Sequence, residues 1–234
     1  MAQPPPAPDG DADIRFAGPA FAIVVLLAAT SGIVDAIAFT RFGVFVANQT
    51  GNLVIITLSL AGEQKTTTLV ACSIALLAFS IGVFVAIFIR RELRKRSGVP
   101  RARVAMLSVE VSLIAITSVG VLIWGDVAFA YAAVLLLSLS QAFQAAVVTR
   151  IVGVAIQTVV INTALVQSAD AWAAGRRRAA AIAFGTPIGY LVGAFIGSLL
   201  MRTSGRGVLF SAVVTAAVAT WIAHRIYLRG AAID

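Results

Sequence analysis

The polar residues best suited to chemistry lie in one stretch near the N-terminus. Asp35 sits inside an apolar run, and Asn48-Gln49-Thr50-Gly51-Asn52 follows it with four polar side chains in five residues. An ionised carboxylate surrounded by hydrocarbon costs about 2.5–3.5 kcal/mol on insertion scales. We therefore expect Asp35 to face the protein interior or a water-filled cavity.

Two interpretations fit the Asn48–Asn52 cluster. A broken or re-entrant helix would place these amides and the Thr50 hydroxyl beside a cavity, the only setting at bilayer depth where irregular backbone is tolerated. Alternatively, the cluster is a loop at headgroup level. In the first case Asp35 would bind a cation or proton, and Asn48, Gln49, Thr50 and Asn52 would form hydrogen bonds to a small solute.

A weak internal repeat relates the two halves of the chain. Residues 31–47 align with residues 140–156 at a constant offset, which makes Gln144 the counterpart of Asp35. Repeated transporters hold substrate between their halves near the membrane midplane, so Gln144 is a candidate substrate-binding residue. The alternative is a hydrogen bond between two helices.

Glu110 is a second acidic residue in an apolar run. It lies near a basic loop, so it could pair with Arg103 or extend to the interface. Alternatively, Glu110 takes part in a proton relay.

One face of the run 179–201 consists of small residues. Gly185, Gly189, Gly193 and Gly197 recur every four residues. Such spacing lets another helix backbone approach closely, either within the chain or in a homo-oligomer. We expect these glycines to serve helix packing.

No motif predicts catalysis or a cofactor. The chain lacks a P-loop, GxSxG, HExxH and a dinucleotide fingerprint. One cysteine, Cys72, and one histidine, His224, cannot build a structural zinc site. We expect no catalytic residues, metal or cofactor, and no enzymatic activity. Nucleic acid is also not an expected partner, because the basic residues are not interleaved with aromatic ones.

Composition indicates the elements that must position these residues. The chain is 60% hydrophobic and 12% charged, with a mean hydropathy of +0.97, whereas a soluble domain carries roughly 25% charged residues. We therefore predict an all-α, polytopic protein with a lipid bilayer as its surroundings. Apolar runs cover about 18–40, 44–62, 68–89, 104–124, 127–148, 152–169, 179–201 and 207–228.

The number of membrane crossings is between six and eight, because runs 44–62 and 152–169 are short and polar enough to be broken or re-entrant. If neither crosses, 14 of the 18 Lys and Arg residues face one side. A seven-crossing version, with the tail outside, gives the same division. Eight crossings divide the charges more evenly, and the positive-inside rule disfavours that arrangement.

The domain organisation predicted is simple. Residues 1–16 are rich in Pro, Ala and Asp and are expected to form a disordered tail. Residues 17–230 are expected to form one integral membrane domain, with repeat halves at about 18–124 and 127–228.

Gly32-x-x-Asp35, followed by Val44-Phe45-Val46-Ala47-Asn48-Gln49-Thr50-Gly51-Asn52, resembles the signature of the YoaK-like family of bacterial inner-membrane proteins. The resemblance covers about residues 18–228 and also fits Gln144 to a later motif, although Ala145 replaces the family's usual Asn. It implies a multi-pass protein of the bacterial plasma membrane and no particular substrate.

Two hypotheses of function follow. The first is a small-solute transporter or permease with Asp35 and residues 48–52 along its path. The second is a membrane scaffold or sensor that acts through partners bound at its glycine faces. An intramembrane enzyme is a third and weaker option.

Overall fold

The fold consists of helices joined by short connections. A computed structural model describes residues 10–63, 65–147 and 161–228, and no strand occurs within those ranges. The helices are α1 Gly10–Phe42, α2 Gln49–Leu60, α3 Thr66–Ala128, α4 Ala130–Val147, α5 Ile161–Ala173, α6 Arg177–Ser204 and α7 Leu209–Leu228, with a short 3₁₀ turn at Gly205–Val208. As described, α1 begins at Gly10, inside the segment expected to be a tail.

Five of these helices are long and apolar enough to cross a membrane: α1 from Gly18, α3, α4, α6, and α7 with the turn before it. This confirms the predicted all-α class and the presence of membrane-length helices. α2 has 12 residues, too few to span hydrocarbon about 30 Å thick. Within the described residues α5 has 13. The first part of the run 152–169 lies outside the described residues.

The longest helix, α3, is bent into two arms. Its 63 residues would extend about 95 Å if straight. Gly98 breaks the helix with φ 82° and ψ 166°, a conformation that glycine adopts without steric cost. Pro100 follows closely and disfavours helical geometry at the residue before it. Residues 66–97 form the first arm and residues 99–124 the second.

Contacts with α4 show that the arms run in opposite directions. The first arm runs parallel to α4, because Gly82 lies against Ala142 and Arg90, further along, donates to the carbonyl of Ala146. The second arm is antiparallel to α4, since Gly120 near its end lies against Phe129 just before α4. The bend at Gly98 therefore makes α3 a helical hairpin.

The glycine face of α6 packs against α1 in parallel. Gly185 lies against Phe21, and Gly197 lies against Ile33. Between them, a Cβ placed on Gly189 or Gly193 would overlap the backbone of α1. The absence of side chains is what allows the two helix backbones to approach this closely.

The two ends of the bundle differ in charge. At one end, here called the Arg41 end, Arg41 Nη1 donates to Asp126 Oδ1 at 2.5 Å, and Arg41 also donates to the carbonyl of Gly205. This end joins the end of α1 to the α3–α4 and α6–α7 connections. The opposite end, here called the basic end, contains the bend at Gly98 and the start of α6. Its basic side chains are Arg90, Arg91, Arg94, Lys95, Arg96, Arg101, Arg103, Arg176, Arg177 and Arg178.

Candidate functional site

The connection between α1 and α2 folds back along α1. Asp35 Oδ1 accepts hydrogen bonds from the backbone N–H groups of Val46 and Ala47, both at 2.7 Å. Oδ2 accepts from the N–H of Asn48 at 3.1 Å. Because Asp35 lies about two turns before the end of α1, these bonds draw the connection into the bundle. The rings of Phe39 and Phe45 stack on its outer side with centroids 4.6 Å apart.

Tyr190 of α6 supplies the fourth donor to the same carboxylate. Its hydroxyl donates to Asp35 Oδ2 at 2.7 Å, and Asp35 is only 1% exposed. A carboxylate has about four lone-pair sites, and here both oxygens accept two hydrogen bonds each. This arrangement suits an ionised carboxylate that organises backbone. It leaves little capacity for Asp35 to coordinate a cation directly.

Two amide side chains close the break before α2. Asn52 is fully buried; its Nδ2 donates to the carbonyl of Phe45 at 2.6 Å, and its Oδ1 accepts from the Phe45 N–H at 2.9 Å. Asn52 Nδ2 also donates to Gln49 Oε1 at 2.8 Å, and Gln49 Nε2 donates to the carbonyl of Val46 at 2.9 Å. Side chains thus satisfy the backbone groups that the irregular connection leaves unpaired.

A cavity of about 390 Å³ lies on the other side of this connection. It is bordered by α2, the first arm of α3, the start of α5 as described, and α6. The lining residues are Ala47, Asn48, Gln49, Thr50, Gly51, Val54, Phe79, Ile161, Asn162 and Tyr190. None of them carries a formal charge, so the cavity offers hydrogen bonds from amide and hydroxyl groups beside an apolar wall.

The predicted site residues divide into three groups in space. Asn48, Gln49 and Thr50 line the cavity. Asp35 and Asn52 are buried behind it and hold its wall. Gln144 is not a lining residue of this cavity.

Gln144 instead belongs to a polar contact between α4 and α1. Its Nε2 donates to the carbonyl of Leu27 at 3.1 Å and to Ser31 Oγ at 3.0 Å. Ser31 Oγ donates in turn to Gln141 Oε1 at 2.7 Å. These three polar side chains are fully buried, so they form an interhelical hydrogen-bond cluster about one turn from Asp35 along α1.

Sequence reasoning missed two participants. Tyr190 lies next to Gly189 in the glycine face of α6, and an aromatic hydroxyl in such a face is a signal of a buried hydrogen bond. Asn162 lies at the start of α5 as described, and its place in the lining of the cavity depends on tertiary packing.

Within the described ranges, no three His, Cys, Asp or Glu side chains lie close enough together to hold a metal ion. The described residues that line the cavity are neutral, and their amide and hydroxyl groups can form hydrogen bonds.

No curated protein and no solved structure matches the chain. A family whose description is "protein of unknown function (DUF1275)" matches residues 23–222. This range includes α1 from its first buried turns, the break before α2, the cavity and most of α7. The chain therefore belongs to the DUF1275 family.

Proposed function

We propose that this protein is a small-solute permease of the bacterial plasma membrane. The observation that supports it best is the cavity of about 390 Å³ beside the broken segment before α2. Irregular backbone within a membrane is tolerated where it is buried in protein or lines a cavity. Here it does both. Asp35 accepts hydrogen bonds from the backbone N–H groups on the buried side of the connection, and Asn48, Gln49 and Thr50 border the cavity. The YoaK-like resemblance supports the same location in the cell.

The proposed membrane arrangement has six crossings: α1, the two arms of α3, α4, α6 and α7. α2 would be re-entrant, since it starts beside Asp35 and leads back to α3, whose Thr68 lies against Gly43 at the Arg41 end. The basic end would face the cytoplasm, in keeping with the positive-inside rule. Of the Lys and Arg residues whose side chains the structure describes, only Arg41, Lys65, Arg202 and Arg206 would then face the outside.

The packing also supports the proposed repeat. α1 pairs in parallel with α6, and α4 pairs in parallel with the first arm of α3. These are corresponding pairs if α1 matches α4 and the first arm matches α6. Residues 148–156 of the aligned segment lie outside the described residues. The proposal is that two inverted halves enclose the polar segments, as in repeated transporters.

The proposed solute is small, uncharged and able to form hydrogen bonds. Asn48, Gln49, Thr50 and Asn162 would contact it, while Asp35 and Asn52 would keep the wall in shape. Gln144 would hold α4 against α1 through Ser31. This assigns Asp35 a positioning role in place of the direct cation contact that the sequence suggested.

The scaffold hypothesis has less support. It assigned the glycine face of α6 to a partner, but α1 of the same chain covers that face at Gly185, Gly189, Gly193 and Gly197. An interaction surface would have to be elsewhere.

Proteoliposome swelling tests the permease proposal. Vesicles containing the full chain are mixed with neutral polyols, amides and small sugars, and uptake is followed by light scattering. We expect at least one solute to enter faster than in protein-free vesicles. Asn48→Leu and Asn162→Leu should slow that uptake roughly five-fold each, since a hydrogen bond is worth about 1 kcal/mol.

Thr57→Leu is the matched control, because Thr57 is an exposed residue of α2 that does not line the cavity. It should leave uptake unchanged. Entry rates equal to those of empty vesicles for every solute would refute the permease.

A further inference from the structure

Glu110 is a buried acid that does not line the cavity of the proposed permease. It lies on the second arm of α3 and is 0% exposed. Neither carboxyl oxygen has a hydrogen-bond partner among the described residues. The expectation that Glu110 pairs with Arg103 or extends to the interface is therefore wrong: its carboxyl group stays inside the bundle.

Two apolar clusters bracket Glu110. Met106, one turn earlier, belongs to a cluster with Leu27 and Phe143. Ile114, one turn later, belongs to a cluster with Ile33 and Leu137. Helical register thus places Glu110 in the layer between them, at the level where α1 and α4 form their hydrogen-bond cluster.

That layer holds other polar atoms without hydrogen-bond partners among the described residues. Gln141 Nε2 and Ser138 Oγ, both on α4 between Leu137 and Phe143, are buried in this state. A folded protein normally contains only a few buried polar groups without hydrogen bonds, and each of them calls for an explanation. Helical register places them in the same layer as Glu110, and this polar layer could accommodate a charge only after rearrangement.

None of the ion pairs Arg41–Asp126, Lys95–Glu92 and Arg96–Glu92 involves Glu110, and its carboxyl oxygens accept no hydrogen bond from the described residues. α4 contributes the amides Gln141 and Gln144, and α7 contributes alanines such as Ala216 and Ala219. On α1, the titratable Asp35 is bonded to Tyr190 and to the connection before α2.

The two buried acids therefore have opposite surroundings. Asp35 accepts four hydrogen bonds, which stabilise a negative charge. Glu110 accepts none, and an unpaired ion in a low-dielectric interior costs several kcal/mol even after relaxation. A neutral carboxylic acid avoids most of that cost.

We propose that Glu110 is an intramembrane proton-binding site. In this conformation its carboxyl group carries a proton. When the helices around the layer separate enough to admit water, the O–H bond breaks, the proton passes to water, and the carboxylate that remains can accept hydrogen bonds from Gln141 and Ser138. Coupling of this step to solute movement rests on the proposed permease; the proton site itself does not.

Infrared spectroscopy of the purified full chain at neutral pH tests the proposal without any solute. A buried protonated acid has a carbonyl stretch that an ionised carboxylate lacks. We expect this band in the wild-type spectrum, its loss in Glu110→Gln, and its shift to lower frequency after transfer to D₂O because the proton exchanges. Glu110→Leu provides a second variant without the acid if Glu110→Gln folds poorly.

Glu92→Gln is the control. The Glu92 side chain is 43% exposed and is paired with Lys95 and Arg96, so this variant should lose carboxylate absorption and keep the acid band. The proposal is overturned if the wild type has no acid band, or if the band does not shift in D₂O. Swelling assays are independent of these spectra, so failure of the permease and failure of the proton site are distinguishable.

Discussion

The Tyr190 hydroxyl donates to the Asp35 carboxylate at 2.7 Å across 155 positions of sequence. This bond connects three features that packing alone would leave separate: the α1–α6 pair, the break before α2 and the cavity. Tyr190 reaches Asp35 because its own backbone carbonyl lies against Gly32, where no side chain keeps the helices apart. The glycine contacts therefore determine the position of the polar site.

Replacing Tyr190 by Phe removes one donor and keeps the ring. We expect the free energy of unfolding to fall by about 0.6 kcal/mol and by no more than about 1.7 kcal/mol, the range for hydrogen bonds between membrane helices. Thermal unfolding in detergent measures this. Tyr131→Phe, at an exposed tyrosine, should have no effect; equal shifts for both variants would contradict the role of the Tyr190 hydroxyl.

Replacing Asp35 by Asn should be more damaging. An amide has one acceptor oxygen, so the N–H groups of Val46, Ala47 and Asn48 can no longer all be satisfied. Hydrogen bonds to charged groups contribute about 1.5–3 kcal/mol each, and we expect a loss of about 2 kcal/mol or more. Hydrogen exchange of these three amides should accelerate, whereas amides in the middle of α7 should not change. Unchanged protection at residues 46–48 would show that Asp35 does not hold this segment.

The sequence located the polar segment but did not identify the groups that donate hydrogen bonds to Asp35. Burial of an acid in an apolar run predicts that it faces protein or water, but not which. The deciding donors are backbone N–H groups of the following connection and a phenol far along the chain, and neither leaves a periodic pattern. Glu110 is the converse case: its nearness to Arg103 in sequence suggested a pairing, but its buried carboxyl oxygens have no hydrogen-bond partner among the described residues.

The helices, too, were predictable from the sequence only in part. Apolar runs predicted the long helices closely, because lipid requires about 20 apolar residues for each crossing. The short and polar run 44–62 indicated the shortness of α2, and the gap between the runs 68–89 and 104–124 contains the bend of α3 at Gly98. The pairing of α1 with α6 was not predictable, since a glycine face indicates close packing without naming its partner.

Gly193→Ala tests that pairing. The added Cβ would overlap the backbone of Ala29, and α1 and α6 would have to separate. Overpacking of this kind costs about 1–3 kcal/mol, which should lower the unfolding temperature and the yield of folded protein. Gly207→Ala is the matched control, because no heavy atom lies within 4 Å of the Cβ position there. A stable Gly193→Ala variant would contradict the α1–α6 contact.

The Arg41 end should be sensitive to loss of its arginine. Arg41 is 12% exposed and joins Asp126 to the carbonyl of Gly205, so Arg41→Met removes two contacts and leaves Asp126 unpaired. We expect a larger stability loss than the 0–1 kcal/mol typical of an exposed ion pair. Glu92→Gln, which disrupts the exposed pairs with Lys95 and Arg96, is the comparison. If both variants lower the free energy of unfolding equally in chemical denaturation, the Arg41 contacts contribute no more than an exposed ion pair.

Single cysteines can decide the number of crossings. In a Cys72→Ala background, Gly18→Cys, Glu63→Cys, Lys95→Cys and Arg206→Cys are labelled in intact cells with a thiol reagent that cannot cross the membrane. If α2 is re-entrant and there are six crossings, Glu63→Cys and Arg206→Cys are labelled, while Gly18→Cys and Lys95→Cys react only after lysis. Seven crossings would also label Gly18→Cys from outside. Eight crossings would place positions 18 and 63 on one side of the membrane and positions 95 and 206 on the other. Each arrangement therefore gives its own labelling pattern. Labelling of Gly18→Cys and Glu63→Cys from the same side would contradict the re-entrant assignment of α2.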